Sequence, residues 1–146
     1  MSQEKYAAYS STQRQDETVR ETEAHALLSC ASRLESARQE DSPKDFFADA
    51  LHHNQQLWTL FQACLCDPDN PLPRDLKTLL LNLSCYVDKV TFRALSEQNR
   101  NLLGSLISIN RTIAAGLRQK QEGAAAQQAM PVMPENTTPT NLMTSA

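Results

Sequence analysis

The sequence predicts an all-α protein: a small four-helix bundle-like domain with a disordered C-terminal tail. The 146 residues include 19 leucines but only seven valines and isoleucines combined, and leucine loses less side-chain freedom in a helix than β-branched residues do. Apolar residues recur at spacings of three and four, the repeat of an amphipathic helix. No segment alternates apolar and polar residues long enough to predict a strand.

The first helix is predicted at about residues 16–40, because an apolar stripe rich in small residues begins near Asp16. Glu17 and Glu21 lie in its first turns, where the helix dipole favours negative charge. Residues 1–15 are polar apart from two tyrosines, Tyr6 and Tyr9. They are predicted to form a flexible N-terminal segment.

The second helix is predicted to follow Ser42 and Pro43, since serine can cap a helix and proline suits the first helical position. Three of the four phenylalanines and the only tryptophan, Trp58, fall in this helix. We therefore expect it to form the centre of the core.

The third helix is predicted to begin at Pro73, after a loop from Asp67 that contains three prolines. Its apolar stripe alternates steps of four and three, as in a helical bundle. Residues 96–99 break this stripe and offer a cap for the fourth helix. Gly104 lies inside that helix and predicts a close backbone contact there.

The helical domain is predicted to span residues 16–120. Residues 121–146 carry no apolar stripe, so they cannot bury enough apolar surface to offset the entropy of ordering. We therefore predict a disordered tail over this range.

The charge is unevenly distributed along the chain. Residues 16–41 contain seven acidic and three basic residues, whereas residues 99–120 contain four basic residues and no acidic ones. The simplest interpretation is that the first and last helices are neighbours. The alternative is that the basic fourth helix meets an anionic partner.

The residue types argue against catalysis and bound cofactors. Three glycines are too few for a phosphate-binding loop. Cys64, Cys66, His52 and His53 have the wrong spacing for structural zinc on a helix. The spacing of Cys30 from the nearest histidine is poor for a nucleophile pair. We predict no catalytic residue, no metal site and no cofactor.

Composition also limits the partners and the location of the protein. The net charge is −3 and the calculated pI is about 5.6, so direct nucleic-acid binding is the less favoured alternative. No apolar run is long enough to insert into a membrane. The first residues do not resemble a secretory signal, which predicts a cytoplasmic protein.

Adjacent apolar residues make the apolar face of several helices wider than a single helix–helix contact requires. Examples are Phe46 with Phe47, Leu79–Leu81, and Leu102 with Leu103. Such a surplus can accept an amphipathic partner helix in a groove. The residues alone therefore predict a small helical binding module.

Several segments together resemble the flagellar biosynthesis regulator FlaF family. The resemblance covers about residues 6–118, and it depends on the order and spacing of the segments rather than on one diagnostic motif. The segments are Tyr6-Ala-Ala-Tyr9, Arg20-Glu-Thr-Glu-Ala24, Leu34-Glu-Ser-Ala37, Asn54–Leu60 with its Leu-Trp pair, Leu72-Pro73, Leu106–Ile113 and Gly116-Leu117. The long tail and the Cys64/Cys66 pair depart from the family pattern.

The resemblance implies a cytoplasmic flagellar assembly factor that promotes flagellin synthesis and export, opposite in effect to FlbT. Flagellin is the implied partner, with FlbT and the export apparatus as further ones. We expect the protein to act as a secretion chaperone that covers an amphipathic flagellin helix. The alternative is a post-transcriptional regulator that acts directly on flagellin mRNA.

The predicted partner-binding residues lie in the second and fourth helices: Trp58, Leu106, Ile109, Asn110, Arg111 and Ile113. The apolar ones are expected to form the bound face or its immediate support, with ordinary core as the alternative for Trp58 and Ile109. Asn110 and Arg111 are expected at the rim of this face. For Arg111 the alternative is a charge pair with the first helix.

Overall fold

The computed structural model describes the backbone of residues 2–129 and the side chains of residues 3–119. Four α-helices and one short 3-10 turn make up this part of the chain, which contains no strand. The all-α prediction is therefore confirmed. The elements are α1 (Ser2–Ala37), α2 (Lys44–Cys66), α3 (Arg74–Glu97), the 3-10 turn (Arg100–Leu102) and α4 (Leu103–Ala129).

The first helix begins at Ser2 and not near Asp16, so the predicted flexible segment is helical from residue 2 onward. None of residues 3–19 is buried, which explains why apolar periodicity does not mark this half of the helix. Hydroxyl groups of Thr12 and Thr18 donate to carbonyls one turn earlier instead of ending the helix. At the other end of the chain, residues 121–129 of the predicted tail continue α4, and residues 130–146 lie outside the described residues.

Two helices begin directly after a proline. Pro43 and Pro73 have extended ψ angles of 148° and 147°, and their carbonyls accept the first helical hydrogen bonds, from the amides of Phe47 and Lys77. Proline suits this place because its φ is fixed near the helical value. The prediction that Ser42 caps α2 is wrong: the cap position is Pro43, and no side chain caps this helix.

The helices pack in the order α4, α1, α2, α3. α1 lies along α4 and also against α2, which in turn packs on α3, whereas α3 and α4 pack against each other much less extensively. Charge pairs between α1 and α4 join Glu21 to Arg118 at 2.9 Å and Glu35 to Arg111 at 3.8 Å. The prediction that the first and last helices are neighbours is confirmed.

A single apolar core links all four helices. It is formed by the small and branched residues of the predicted stripes and is centred on Trp58 of α2, which is 1% exposed. Leu27 and Leu34 of α1 and Leu103 and Leu106 of α4 are completely buried beside it. The second helix is therefore central to the core, as the sequence predicts.

The turn between α1 and α2 is held by Arg100. Its guanidinium donates to the carbonyls of Ala37 at 3.4 Å, of Ser42 at 2.8 Å, and of Gln39. It also lies 5.7 Å from the centre of the Phe47 ring. The Ala37 carbonyl belongs to the last turn of α1, where carbonyls lack partners within the helix. An arginine 63 residues away in sequence bonds this carbonyl and also holds the turn that follows.

Gly104 does not make the close backbone contact that its position predicts. A Cβ atom there would meet only the guanidinium of Arg38, at 3.3 Å. Within residues 2–129, no helix is both long and apolar enough to cross a membrane.

Candidate protein-binding pocket

An apolar pocket of about 130 Å³ opens where the α2–α3 connection meets α1 and α4. Trp58, Phe61 and Leu65 of α2 line one side. Ile113 and Leu117 of α4 line the other. An apolar cavity of roughly 150 Å³ can hold a benzene ring, so this pocket has room for one large apolar side chain.

The pocket is open because α3 and α4 do not close on each other along their full length. The buried residues of α3 begin only at Ser84 and continue to Ala94. In its first half, Leu76, Leu80 and Leu83 are half-buried, and Leu79 is 63% exposed. These leucines form an apolar flank beside the pocket, to which Leu80 contributes directly.

The opposite flank belongs to α4. Ile109, Ile113 and Leu117 follow each other at steps of four along this helix, and each is half-buried against the core. Ile113 and Leu117 line the pocket, and Ile109 lies one turn before Ile113 on the same face of the helix. A groove with two apolar helix flanks and a pocket for an anchoring side chain is typical of sites that bind amphipathic helices.

Trp58 is held in one orientation by an aromatic contact and a hydrogen bond. Its ring meets Phe61 edge-on, with 5.6 Å between ring centres and an interplanar angle of 83°. Its indole Nε1 donates to Oδ1 of Asn110 at 2.9 Å. A buried indole N–H needs such an acceptor, and this bond places Trp58 firmly at the inner end of the pocket.

Asn110 is the centre of a buried network that joins three helices. Its Nδ2 donates to Oδ1 of Asn54 at 2.7 Å and to the carbonyl of Leu27 at 3.2 Å. Asn54 and Asn110 are both completely buried. Because buried amides are costly unless they are paired, the network favours one register of α1, α2 and α4. Nδ2 of Asn54 is buried and has no hydrogen-bond partner among residues 3–119.

The loop between α2 and α3 fixes the mouth of the pocket. Asn70 donates through Nδ2 to the Cys64 carbonyl at 2.9 Å and accepts through Oδ1 from the Leu72 amide at 3.0 Å. Leu72 is thereby held, half-buried, at the edge of the pocket. Local Asn and Asp turns thus order a segment in which proline prevents a helix.

One acidic side chain, Glu23 of α1, lines the otherwise largely apolar pocket. It is half-buried, and this burial raises the pKa of its carboxyl above the ordinary value, an effect that the nearby Arg20 guanidinium partly opposes. Within residues 3–119, Glu23 takes part in no ion pair. A partly desolvated carboxylate without an ion-pair partner is costly. Glu23 therefore differs from the apolar side chains around it as a place where a cation would be favoured.

The structure places the sequence-predicted residues at different depths. Trp58, Leu106 and Asn110 are buried; of these, Trp58 lines the pocket, and Asn110 accepts the hydrogen bond from its indole. Ile109 and Ile113 are half-buried on the α4 flank. The prediction that Asn110 lies at the rim is wrong, because its amide is completely buried and bonds buried groups of two other helices, α1 and α2. That these residues bind a partner stays a prediction.

Arg111 lies outside the pocket. Its side chain is 56% exposed, and its guanidinium is 3.8 Å from a carboxylate oxygen of Glu35. This is the alternative that the charge distribution offered, a pair with the first helix. An exposed pair at this distance contributes little stability.

Of the residues that line the pocket, Trp58 and Ile113 are the two that the sequence predicts as partner-binding; those it does not predict include Glu23, Leu72 and Leu80. Glu23 precedes Leu27 by one helical turn, so an acidic residue at the edge of the first apolar stripe was a usable signal. Leu72 and Leu80 gave no separate signal, because leucines in a loop or a stripe are most often plain core.

The described residues do not offer a metal centre or an activated thiol. No three His, Cys, Asp or Glu side chains in this part of the chain lie close enough together to hold a metal ion. Cys64, Cys66 and Cys85 are exposed free thiols, and Cys30 is buried. Burial raises the pKa of the Cys30 thiol, which disfavours the thiolate that a nucleophile needs.

Comparison with known families matches residues 5–117 to the family described as Flagellar protein FlaF. No curated protein and no solved structure matches the chain. The matched range contains every pocket residue from Glu23 to Leu117, and it agrees with the resemblance seen in the sequence. The chain belongs to the flagellar protein FlaF family.

Proposed function

We propose that this protein binds flagellin as a secretion chaperone, by accepting an amphipathic flagellin helix in the groove between α3 and α4. Binding keeps the subunit competent for export and links the level of free subunit to flagellin synthesis. The observation that carries the proposal is the open apolar pocket between the α3 and α4 flanks. Membership in the FlaF family supplies the flagellar role.

The groove suits a helix better than an extended peptide. Its two flanks are formed by residues of α3 and α4 that repeat every three or four positions, such as Leu76, Leu80 and Ile109, Ile113. A fifth helix laid between them would extend the bundle and cover the half-exposed leucines. Amphipathic helices bind such grooves through apolar anchors at the same spacing.

Direct binding to flagellin mRNA is the alternative with less support. RNA contacts require cations that can reach phosphate groups. Arg111 and Arg118 instead pair with acidic residues of α1, and Arg100 donates to backbone carbonyls. Three of the four basic residues in segment 99–120 thus have partners within the protein, and the fourth, Lys120, lies outside the described side chains.

The proposal is tested with the purified full-length chain and purified flagellin monomer from the same bacterium, both treated with nuclease. Calorimetric titration is expected to show a one-to-one complex that changes little with salt, since apolar contacts are not screened. Leu72→Asp places a charge at the mouth of the pocket and is expected to weaken binding at least about tenfold, since a buried unpaired charge is costly.

Leu60→Asp is the matched control. It makes the same chemical change on α2, at a side chain that is 64% exposed and outside the pocket. It is expected to bind flagellin as the unchanged protein does. Absence of flagellin binding together with tight, salt-sensitive binding of the transcript would overturn the proposal in favour of the RNA alternative.

A further inference from the structure

We propose that Glu23 determines which helix the pocket accepts, by pairing with a lysine or arginine of the same amphipathic helix whose apolar side chain fills the pocket. The inference rests on the proposed function and adds to it the chemistry of the partner. The occupant is a helix with a large apolar anchor and a cation one turn away.

The environment of Glu23 differs from that of Glu21 and Glu35, two other acidic residues of its helix. Glu21 and Glu35 face α4 cations and are paired with Arg118 and Arg111. Glu23 lies between them on the pocket side, beside Leu27 and Leu117. It has no ion-pair partner among residues 3–119, although Arg20 is close enough to influence its carboxyl.

An occupant would remove most of the remaining water from this carboxylate. A buried charge without a partner costs far more than one left in water. A helix that offers only apolar atoms would therefore be penalised at Glu23, whereas a helix that brings a cation forms a charge-assisted hydrogen bond there. Selectivity is the difference in binding free energy between these two kinds of helix. Part of that difference is the cost of burying Glu23 unpaired against the purely apolar helix.

Helical geometry allows one partner segment to satisfy both requirements. Side chains three or four residues apart lie on the same face of a helix, about one turn from each other. An apolar residue inserted toward Trp58 and Phe61 can thus have a basic residue beside it at the mouth of the pocket. Long basic side chains also pack their methylene groups on apolar walls such as Leu117.

The test measures binding of flagellin monomer to the full-length Glu23→Gln variant. Glutamine keeps the size of the side chain and removes its charge. We expect the affinity to fall about tenfold, the size of one partly exposed charge-assisted bond. Glu21→Gln makes the same change two residues away, at an exposed pair outside the pocket, and is expected to change affinity less than about twofold.

A second measurement identifies the paired cation. Each lysine and arginine in the terminal helices of flagellin is replaced singly by glutamine. One replacement is expected to weaken binding about tenfold to the unchanged protein, and to have little further effect on the Glu23→Gln variant. Such coupling would not arise if Glu23 only influenced folding.

The outcomes separate this inference from the proposed function. If flagellin does not bind the unchanged protein at all, the proposed function fails and the inference fails with it. If Leu72→Asp weakens binding while Glu23→Gln does not, the pocket is the binding site and the role of Glu23 is refuted. If Glu23→Gln weakens binding but no flagellin cation is coupled to it, the pairing is likewise refuted.

Discussion

Replacement of Arg100 by alanine is expected to lower the free energy of unfolding by about 3 kcal/mol. The guanidinium donates to three carbonyls at the end of α1 and in the turn that follows it, those of Ala37, Gln39 and Ser42. A hydrogen bond from a charged group contributes roughly 1.5–3 kcal/mol when buried. Because this site is only part-buried, we assign about 3 kcal/mol to the whole set, including the contact with Phe47.

Two further variants are compared with Arg100→Ala by their free energies of unfolding. Arg100→Lys keeps the charge near the end of α1 but cannot reach three carbonyls from one planar group, so we expect a loss of about half as much. Arg111→Ala removes an arginine of the next helix whose pair with Glu35 is exposed and 3.8 Å long. For this variant, the free energy of unfolding is expected to fall by less than about 0.5 kcal/mol.

The assay is urea unfolding of the full chain, followed by circular dichroism and by the fluorescence of its single tryptophan. The free energy of unfolding in water is obtained by linear extrapolation to zero urea. If its slope against urea concentration is the same for each variant, only the folded state is affected. Losses that are equal for Arg100→Ala and Arg111→Ala would refute the reasoning, because the carbonyl contacts would then contribute nothing beyond a surface charge.

Three other substitutions are expected to raise the free energy of unfolding, each measured by the same urea titration. Gly116→Ala should add about 1 kcal/mol, because a Cβ there meets nothing within 4 Å and alanine favours a helix; no gain would contradict this. Gln98→Gly should add roughly 0.5 kcal/mol by relieving a left-handed backbone at φ 53°; a loss would argue that the residue is not strained. Glu23→Gln should stabilise the protein at pH 7, since burial raises the pKa of this carboxyl and penalises its ionised form. That gain should disappear as the pH falls through the raised pKa to below the ordinary value near 4.5, and a gain that persists at pH 4 would contradict it.

Helices with a buried face could be predicted from the sequence, and helices without one could not. In α3, apolar residues from Leu76 to Ala94 recur at steps of three and four, and the part of this stripe from Ser84 onward faces the core. The first half of α1 has no such face, so its helix starts 14 residues earlier than the apolar stripe indicates. That half contains many serines, threonines and charged residues, and their helix propensity is a weak signal in a single sequence.

The candidate site was harder to predict because it depends on how helices diverge. Asn54 and Asn110 both lie in apolar stripes, but their contact spans 56 residues and pairs them only after three helices have packed. The pocket likewise exists because α3 and α4 separate beyond their connection. A stripe pattern indicates which face of a helix is apolar, and it does not indicate how far a neighbouring helix follows it.

The long helix α1 has two parts that differ in local stability. At about 1.5 Å per residue, its 36 residues extend roughly 54 Å, and only its C-terminal part, from Ala24 onward, is anchored by buried side chains. Amides of the first half can exchange hydrogen through local fraying, whereas those around Leu27 and Leu34 exchange only when the packed unit opens as a whole. The N-terminal part of α1 can therefore unfold and refold locally without disturbing the part of the molecule that contains the pocket.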